Sequence, residues 1–405
     1  MEKPKQKKWI KPRHKWGRNL LKTFFLPHVK RKYGVKVEKF EGPNRPYLIL
    51  LNHQTAYDQF LVGTAFDNIV YYVATEDIFS LGFLSKVINF FVAPIPIKKQ
   101  TTDVRAVLNC KKIVKEGGTI AIMPEGNRTY SGQTEYINPA IAGLVKLLKL
   151  PVAFFRIEGG YGVHPRWSDV ARKGGPMRAY VSRVMEAEEY ADMDDVALNE
   201  LIAKELYVDE TQIEGEYPHK KLAEYLERVF YVCPQCGISE FVSKEDKITC
   251  KRCGKTARYL PSKKLQGVDC DFPFEYVKDW YQYQEKFVRG LDLKAFGENF
   301  VVMDEKVSLF DVILYKKKKR LTKKASITAY GDRLVLQYKK GTLVFAYDDL
   351  SAVTILGKNK LNVYYDGRVY QVKGDKRFNA VKYVHLYHHY KNVKEGKADG
   401  GFLGL

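Results

Sequence analysis

From about residue 46 to 186 the chain alternates short apolar β-rich runs with helix-length amphipathic segments, and few folds accommodate that order. The runs are YLILLNH, NIVYYVATE, FFVAPIPI, GTIAIMPEG, PVAFFRIEGG and RAYVSRVME, and helical patterns fall at 55–66, 78–89, 103–116 and 138–149. Strands separated by helices of 10 to 15 residues predict an α/β domain with a mostly parallel sheet flanked by helices. In such sheets chemistry gathers beyond the C-terminal ends of the strands. Two polar clusters fall at that edge, NHQTAYD after YLILL and MPEGNRTYSG after TIAI.

In the first cluster His53 precedes Asp58 by five positions. On one helix the two would point about 140° apart, so they can meet only if His53 stands in the loop before the helix. TAYD, Thr55 to Asp58, fits an N-cap followed by an acidic third position, which puts His53 just outside the helix. Asp58 could then bind one ring nitrogen and fix the tautomer, leaving the other as a base. The alternative is an ordinary turn in which Asp58 only caps the helix. In the second cluster Arg128 offers a planar fork suited to phosphate, Gly126 lets backbone approach a ligand, and Thr129 and Ser131 add donors.

Taken together, about 70 residues apart, NHQTAYD and PEGNRT resemble the paired signature of the glycerolipid acyltransferase family of the lysophosphatidic acid acyltransferase type: Asn-His-x4-Asp, then Phe-Pro-Glu-Gly-Thr-Arg-Ser. APIPIKKQ stands where that family has an apolar run ending in arginine, and LPVAFFRIEGG where it has an apolar strand opening with proline. The resemblance covers roughly residues 15–210. Met123, Asn127 and Thr129 replace the usual phenylalanine, threonine and serine, and Lys98 or Lys99 replaces the arginine. A lysine binds phosphate as a point charge without the bidentate fork. The resemblance implies that His53, held by Asp58, takes the proton of an acceptor hydroxyl as it attacks an acyl thioester. It implies that Lys98 or Lys99, Glu125, Gly126, Asn127 and Arg128 build the acceptor site. No catalytic cofactor is then expected. The implied reaction moves a fatty acyl group from acyl carrier protein or coenzyme A to lysophosphatidate. Another lysophospholipid or polar lipid is the alternative acceptor, and a non-catalytic membrane or nucleic-acid adaptor is the alternative reading of the chain.

CPQC and CKRC, 13 residues apart, give Cys233, Cys236, Cys250 and Cys253, each pair followed by glycine. That is the spacing of a zinc ribbon with four thiolate ligands, closed to substrate and therefore structural. Cys110 and Cys270 stand alone and read as buried or half-buried thiols. Further helical patterns fall at 195–206 and 218–230, and an aromatic one surrounds Trp280. Beyond about 298 the texture turns to β, in KVSLFDVILY, ASITAYGDRLVLQY, TLVFAYDDL, KLNVYYDG and RVYQVKG, and closes on the helical FNAVKYVHLYHHYKNV. This order resembles a pleckstrin-homology-like lipid-binding domain.

Net charge is +21 and unevenly spread. Residues 1–36 carry thirteen Lys or Arg against one acid, and residues 186–216 twelve acids against one base. A second basic run, KKKKRLTKK, spans 316–324. The first eight residues read as a solvated tail. The following segment mixes Trp9, Trp16, Leu20, Phe24 and Phe25 with cations, a composition suited to an anionic membrane interface. No apolar run approaches the 20 or so residues needed to span a bilayer, and no signal peptide is expected. The expected organisation is a membrane-binding segment at 1–36, an acyltransferase domain at 37–215, helix and ribbon at 216–260, a helical linker at 261–297 and a β-rich domain at 298–395. The expected place is the cytoplasm, peripheral on a membrane face. Nucleic acid is not an expected partner.

Overall fold

Leu48–Leu51, the run LILL, is apolar on both faces of a strand, and all four residues are fully buried. A strand of that kind belongs in the middle of a sheet covered on both sides. In the computed structural model, which describes residues 8–75, 78–79, 82–97, 103–312, 318–397 and 400–402, it does. The chain divides into two compact units, 1–126 with 137–160 and 176–209, and 127–136 with 161–175 and 210–405.

The first unit holds seven strands: β1 (Lys36–Val37), β2 (Leu48–Leu51), β3 (Val70–Thr75), β4 (Ile95–Ile97), β5 (Thr119–Ile122), β6 (Val152–Glu158) and β7 (Arg178–Met185). Their order is β1-β7-β6-β2-β5-β3-β4, so β2 is central. All neighbours are parallel except β6 and β7, as the alternating pattern predicts. The register sets Leu48 beside Ile120 on one side and Val152 on the other, which brings the C-terminal ends of β2 and β5 level while β6 continues beyond Phe155, the partner of Leu51, to Glu158.

The helices are α1 (Pro12–Leu20), α2 (Leu26–Tyr33), α3 (Asp58–Ala65), α4 (Phe83–Phe91), α5 (Val104–Lys115), α6 (Ala140–Leu148), α7 (Ala187–Ala191) and α8 (Asp195–Leu206). Between α1 and α2, Leu21–Phe25 forms a π-turn. Pro27 follows it; a proline lacks the N–H and collides with the carbonyl four residues back, so the ladder widens there. This N-terminal stretch packs into the first unit by burying His14, Gly17, Leu26, Val29 and Tyr33, while Trp16 and Phe24 stay 62% and 73% exposed. Ile141, Val145, Leu198 and Ile202 from α6 and α8 share one core with Leu48, Leu50 and Phe154.

In the second unit, β8 (Val232–Cys233) pairs with β9 (Gly237–Ile238). A four-stranded antiparallel sheet runs β10 (Phe241–Lys244), β11 (Lys247–Cys250), β12 (Thr256–Tyr259), β13 (Leu265–Gly267). After α9 (Val277–Arg289) come β14 (Val302–Val312), β15 (Lys319–Ala329), β16 (Arg333–Tyr338), β17 (Gly341–Ala346), β18 (Leu350–Leu356), β19 (Lys360–Tyr365) and β20 (Arg368–Lys373), closed by α10 (Val381–Lys394). These last seven strands form one antiparallel sheet ordered β17-β16-β15-β14-β20-β19-β18. The C-terminal part is therefore β-rich, with β18 unanticipated by sequence. One apolar core holds Cys233, Cys250, Phe230, Trp280, Leu334 and Val384, with Phe230 stacked on Trp280 at 3.7 Å between ring centres.

The helix expected at 218–230 does not form; only Leu226–Arg228 makes a single 3₁₀ turn. Its backbone donors are taken by the β10–β11 hairpin: Ala223 N–H bonds the Glu245 carbonyl at 2.7 Å and Tyr225 N–H bonds Ser243 Oγ at 2.7 Å. Tyr225 is left-handed, with φ of 75°, which no α-helix tolerates. The apolar spacing there is that of a segment folded over a core, where Leu222, Leu226, Val229 and Phe230 are buried.

Candidate active site

The site begins where β2 runs out. Asn52, fully buried, extends the ladder with its side chain: Nδ2 donates to the Ile157 carbonyl and Oδ1 accepts from Ile157 N–H, both at 2.8 Å. This clamps the end of β2 to β6 and aims the next residue, His53, out of the sheet. From β5, the chain turns through Met123–Gly126, closed by Gly126 N–H on the Met123 carbonyl at 2.9 Å. Gly126 has φ of 70°, a conformation that glycine adopts without strain. The turn carries Glu125 back to β2, where its Oε1 accepts His53 N–H at 2.7 Å. The two polar clusters, remote in sequence, thus meet at the C-terminal ends of adjacent strands.

His53 Nδ1 lies 2.8 Å from Asp58 Oδ2. Asp58 is fully buried at the first position of α3. Its carboxylate also accepts Gln54 N–H at 2.7 Å, Thr55 N–H at 2.9 and 3.0 Å, and Thr55 Oγ–H at 2.5 Å. Thr55 Oγ1 in turn accepts Tyr57 N–H at 3.2 Å. The helix therefore starts at Asp58, three residues later than the sequence pattern indicates, and Asp58 rather than Thr55 satisfies the loop's donors. The backbone N–H groups facing this carboxylate can only donate, so it acts as an acceptor and Nδ1 carries the hydrogen to it. The tautomer so fixed makes Nε2 the basic nitrogen. Aromatic rings brace the turn: Phe25 packs on Phe60 at 4.5 Å and on Tyr57 at 5.8 Å, and Tyr33 on Tyr57 at 5.5 Å.

A family model described as Acyltransferase matches residues 30–157, which contain both clusters. An acyltransferase-family domain therefore occupies this segment. No curated protein matches the chain. Among solved structures, the crystal structure of the 1-acyl-sn-glycerophosphate acyltransferase PlsC from Thermotoga maritima is similar at 18% identity and a TM-score of 0.38, covering 47% of this chain and 79% of that one.

Within this acyltransferase the remaining predicted residues fall in different places. Lys98 and Lys99 lie outside the described residues. Asn127 and Arg128 belong to the second unit, where the Arg128 carbonyl accepts Arg166 Nη1 at 2.8 Å and the Arg166 guanidinium lies 4.0 Å over the Tyr130 ring. Thr129 and Ser131 do not offer donors outward: both are buried, and Thr129 Oγ1 donates to Glu135 at 3.0 Å. Burial raises the Glu135 carboxyl above its ordinary range, against the pull of that bond. Sequence reasoning missed Asn52 and the role of Glu125 as a backbone clamp. The signal for Asn52 was an amide directly ending a fully apolar strand.

Cys233, Cys236, Cys250 and Cys253 converge, with all four Sγ atoms within 4.8 Å of one another and the pairs 233–253 and 236–250 at 3.6 Å. A tetrahedral zinc with Zn–S near 2.3 Å sets sulfurs about 3.8 Å apart, so the donor set fits that ion. Gly237 and Gly254, at φ of 73° and 77°, turn the chain after each pair. Cys110 is buried as expected, whereas Cys270 is exposed, a correction to the expectation for it, because it lies on the irregular segment after β13.

Replacing Asn52 by Ala strands the Ile157 N–H and carbonyl in a dry environment. The expected loss is about 2–4 kcal/mol of unfolding free energy, read by denaturant titration. A change below about 0.5 kcal/mol would show that the clamp is not needed.

Proposed function

We propose that the enzyme transfers a fatty acyl group from an acyl thioester, on acyl carrier protein or coenzyme A, to the free hydroxyl of lysophosphatidate, giving phosphatidate. The observation that carries this reading is the His53–Asp58 pair, with its ring tautomer fixed by a buried carboxylate, at the end of the central strand. Nε2 of His53 takes the acceptor hydroxyl proton as its oxygen bonds the thioester carbonyl carbon. The tetrahedral adduct collapses, the C–S bond breaks, and the departing thiolate takes the proton from the imidazolium. No enzyme-bound acyl group is needed. Arg128, with Gly126, Asn127 and Lys98 or Lys99, is the proposed holder of the acceptor phosphate, and Glu125 fixes the loop that presents His53.

The four cysteines are proposed to hold one structural zinc; when bound, it would cross-link the β8–β9 and β11–β12 ends and take no part in acyl transfer. The enzyme is proposed to work at the cytoplasmic face of a membrane. The +12 charge of residues 1–36 and the outward Trp16 and Phe24 support peripheral binding. Among the described residues no helix is long and apolar enough to cross a membrane. A pleckstrin-homology-like role for the C-terminal part is supported by the seven antiparallel strands, β14 pairing both β15 and β20, and the closing helix α10.

With acyl thioester and lysophosphatidate vesicles, His53→Ala should lose about 10² to 10⁴-fold in kcat at unchanged Tm, with product followed by mass spectrometry. Asp58→Asn should lose most activity as well. Arg128→Ala should raise KM for the phosphorylated acceptor about 10 to 150-fold. A folded His53→Ala enzyme with near-normal kcat would reduce the pair to a helix cap. Turnover only with another lysophospholipid would move the acceptor assignment.

Elemental analysis of purified protein should give one zinc per chain. Cys250→Ser should release it and loosen residues 231–260 to hydrogen exchange; zinc-free protein with the same exchange pattern would refute the site. Binding to anionic vesicles should weaken as salt rises, because each surface Lys or Arg contributes about 1 kcal/mol that ions screen. Equal binding to neutral vesicles in high salt would remove the electrostatic part.

A further inference from the structure

The segment 161–175, between β6 and β7, has one short helix, Gly160–Val163, and is otherwise irregular, so side-chain ties set its shape. With residues 127–136 and 210–405 it belongs to the second unit. It reaches the Arg128 loop twice. Arg166, 2% exposed, donates Nη1 to the Arg128 carbonyl at 2.8 Å and lays its guanidinium 4.0 Å over the Tyr130 ring. Tyr161 donates its hydroxyl to the Tyr130 carbonyl at 3.2 Å, and Trp167 Nε1 donates to that hydroxyl at 3.2 Å.

Residues further along the chain hold the same segment. Arg228, also 2% exposed, donates Nη1 to the Trp167 carbonyl at 2.6 Å and to Asp169 Oδ1 at 2.9 Å. Lys358, in the turn between β18 and β19, donates Nζ to the Ser168 carbonyl and, at 2.9 Å, to Asp169 Oδ1. Burial pushes the Asp169 carboxyl up, but the bonds from Arg228 and Lys358 outweigh it and hold its pKa at about 2. Burial lowers the Lys358 pKa, Asp169 opposes this, and the charges of Arg128 and Arg228 lower it further. Lys358 therefore lies within electrostatic range of the Arg128 side chain. It is also joined to the Arg128 backbone through Ser168, Trp167 and Arg166.

We propose that Lys358 is a positioning residue for acyl transfer: by fixing Ser168 and Asp169 it holds Arg166, and through Arg166 it holds Arg128 where the acceptor phosphate binds. This rests on the reading of Arg128 as the phosphate holder. The C-terminal β-rich part thereby takes part in acceptor recognition. Charge-assisted bonds are strong enough to order a segment that has no ladder of its own. A contact made equally to bound substrate and transition state enters KM and leaves kcat alone, so a misplaced Arg128 raises KM for the acceptor only.

The test is steady-state kinetics on the full chain with lysophosphatidate vesicles and an acyl thioester, using variants of matched Tm. Lys358→Met should raise the acceptor KM about 3 to 10-fold, the size of effects carried through such a network, with kcat and the thioester KM within about twofold. Lys358→Arg keeps a donor for Asp169 and should restore KM to within about twofold. Lys340→Met removes the same charge from the exposed β16–β17 turn and should leave KM unchanged. In an Arg128→Ala background Lys358→Met should add less than about twofold, because the two residues act in series. Coupling is reciprocal, so in wild-type protein a water-soluble short-chain lysophosphatidate should slow hydrogen exchange at 165–170 on saturation, a readout that stands even if Lys358→Met folds poorly. A raised KM in Arg128→Ala with an unmoved KM in Lys358→Met overturns the positioning role alone. An unmoved KM in Arg128→Ala overturns the phosphate reading of Arg128, and the positioning role with it. Additive effects in the double variant, an equal effect of Lys340→Met, or unchanged exchange at 165–170 on saturation also overturn the positioning role.

Discussion

A single buried carboxylate organises the end of the central strand. Asp58 sits at zero exposure and is held ionised-acceptor fashion by two backbone N–H groups, one hydroxyl and one imidazole N–H. Burying a charge without such donors is prohibitive. The position at the start of α3 adds the favourable end of the helix dipole. Capping and orienting, which look like rival readings of Asn-His-x4-Asp, are therefore one arrangement. The carboxylate that gathers the loop's donors is thereby placed, without freedom to rotate, against the histidine ring.

The architecture of the first unit was legible because burial on both faces writes itself into a parallel strand as an uninterrupted apolar run. LILL, TIAI and VAFF could not be mistaken for amphipathic strands, and the helices between them left no other connection. Turn chemistry then put NHQTAYD and MPEG at the same edge. What sequence could not show was contact: that Glu125 reaches the backbone of His53, or that Thr129 and Ser131 turn inward to Glu135. Those depend on where neighbouring strands stop. The missed strand Leu350–Leu356 runs on from YDDL with no turn residue between, since a 3₁₀ turn at Tyr347–Asp349 serves instead. The false helix at 218–230 failed for the converse reason, a periodic apolar pattern produced by loop packing.

The second unit shows how polar residues enter a core. α10 reads as mixed in sequence, yet Val381 to His389 are all buried. His385 is accommodated because both ring nitrogens meet hydroxyls, Tyr231 at 2.9 Å and Tyr281 at 3.1 Å. Burial lowers its pKa well below the ordinary value, so the ring is neutral and can accept at one nitrogen while donating at the other. The same core takes in Cys233 and Cys250, so the cysteine cluster is built into the packing of α9 and the C-terminal sheet.

The N-terminal helices tie surface to site. Their inner face buries His14, Gly17, Leu26, Val29 and Tyr33, and a Cβ on Gly17 would lie 2.8 Å from the Phe91 carbonyl, so α1 and α4 approach as closely as backbone allows. Their outer face carries Trp16, Leu20 and Phe24. Phe25, next in line after Phe24, turns back onto Tyr57 and Phe60, on either side of Asp58. The π-turn imposed by Pro27 is what lets consecutive phenylalanines face opposite ways. One short segment therefore both displays apolar side chains to the outside and braces the turn that orients His53. Displacing it would disturb the geometry of the proposed base, His53, as directly as a change at Asp58 itself.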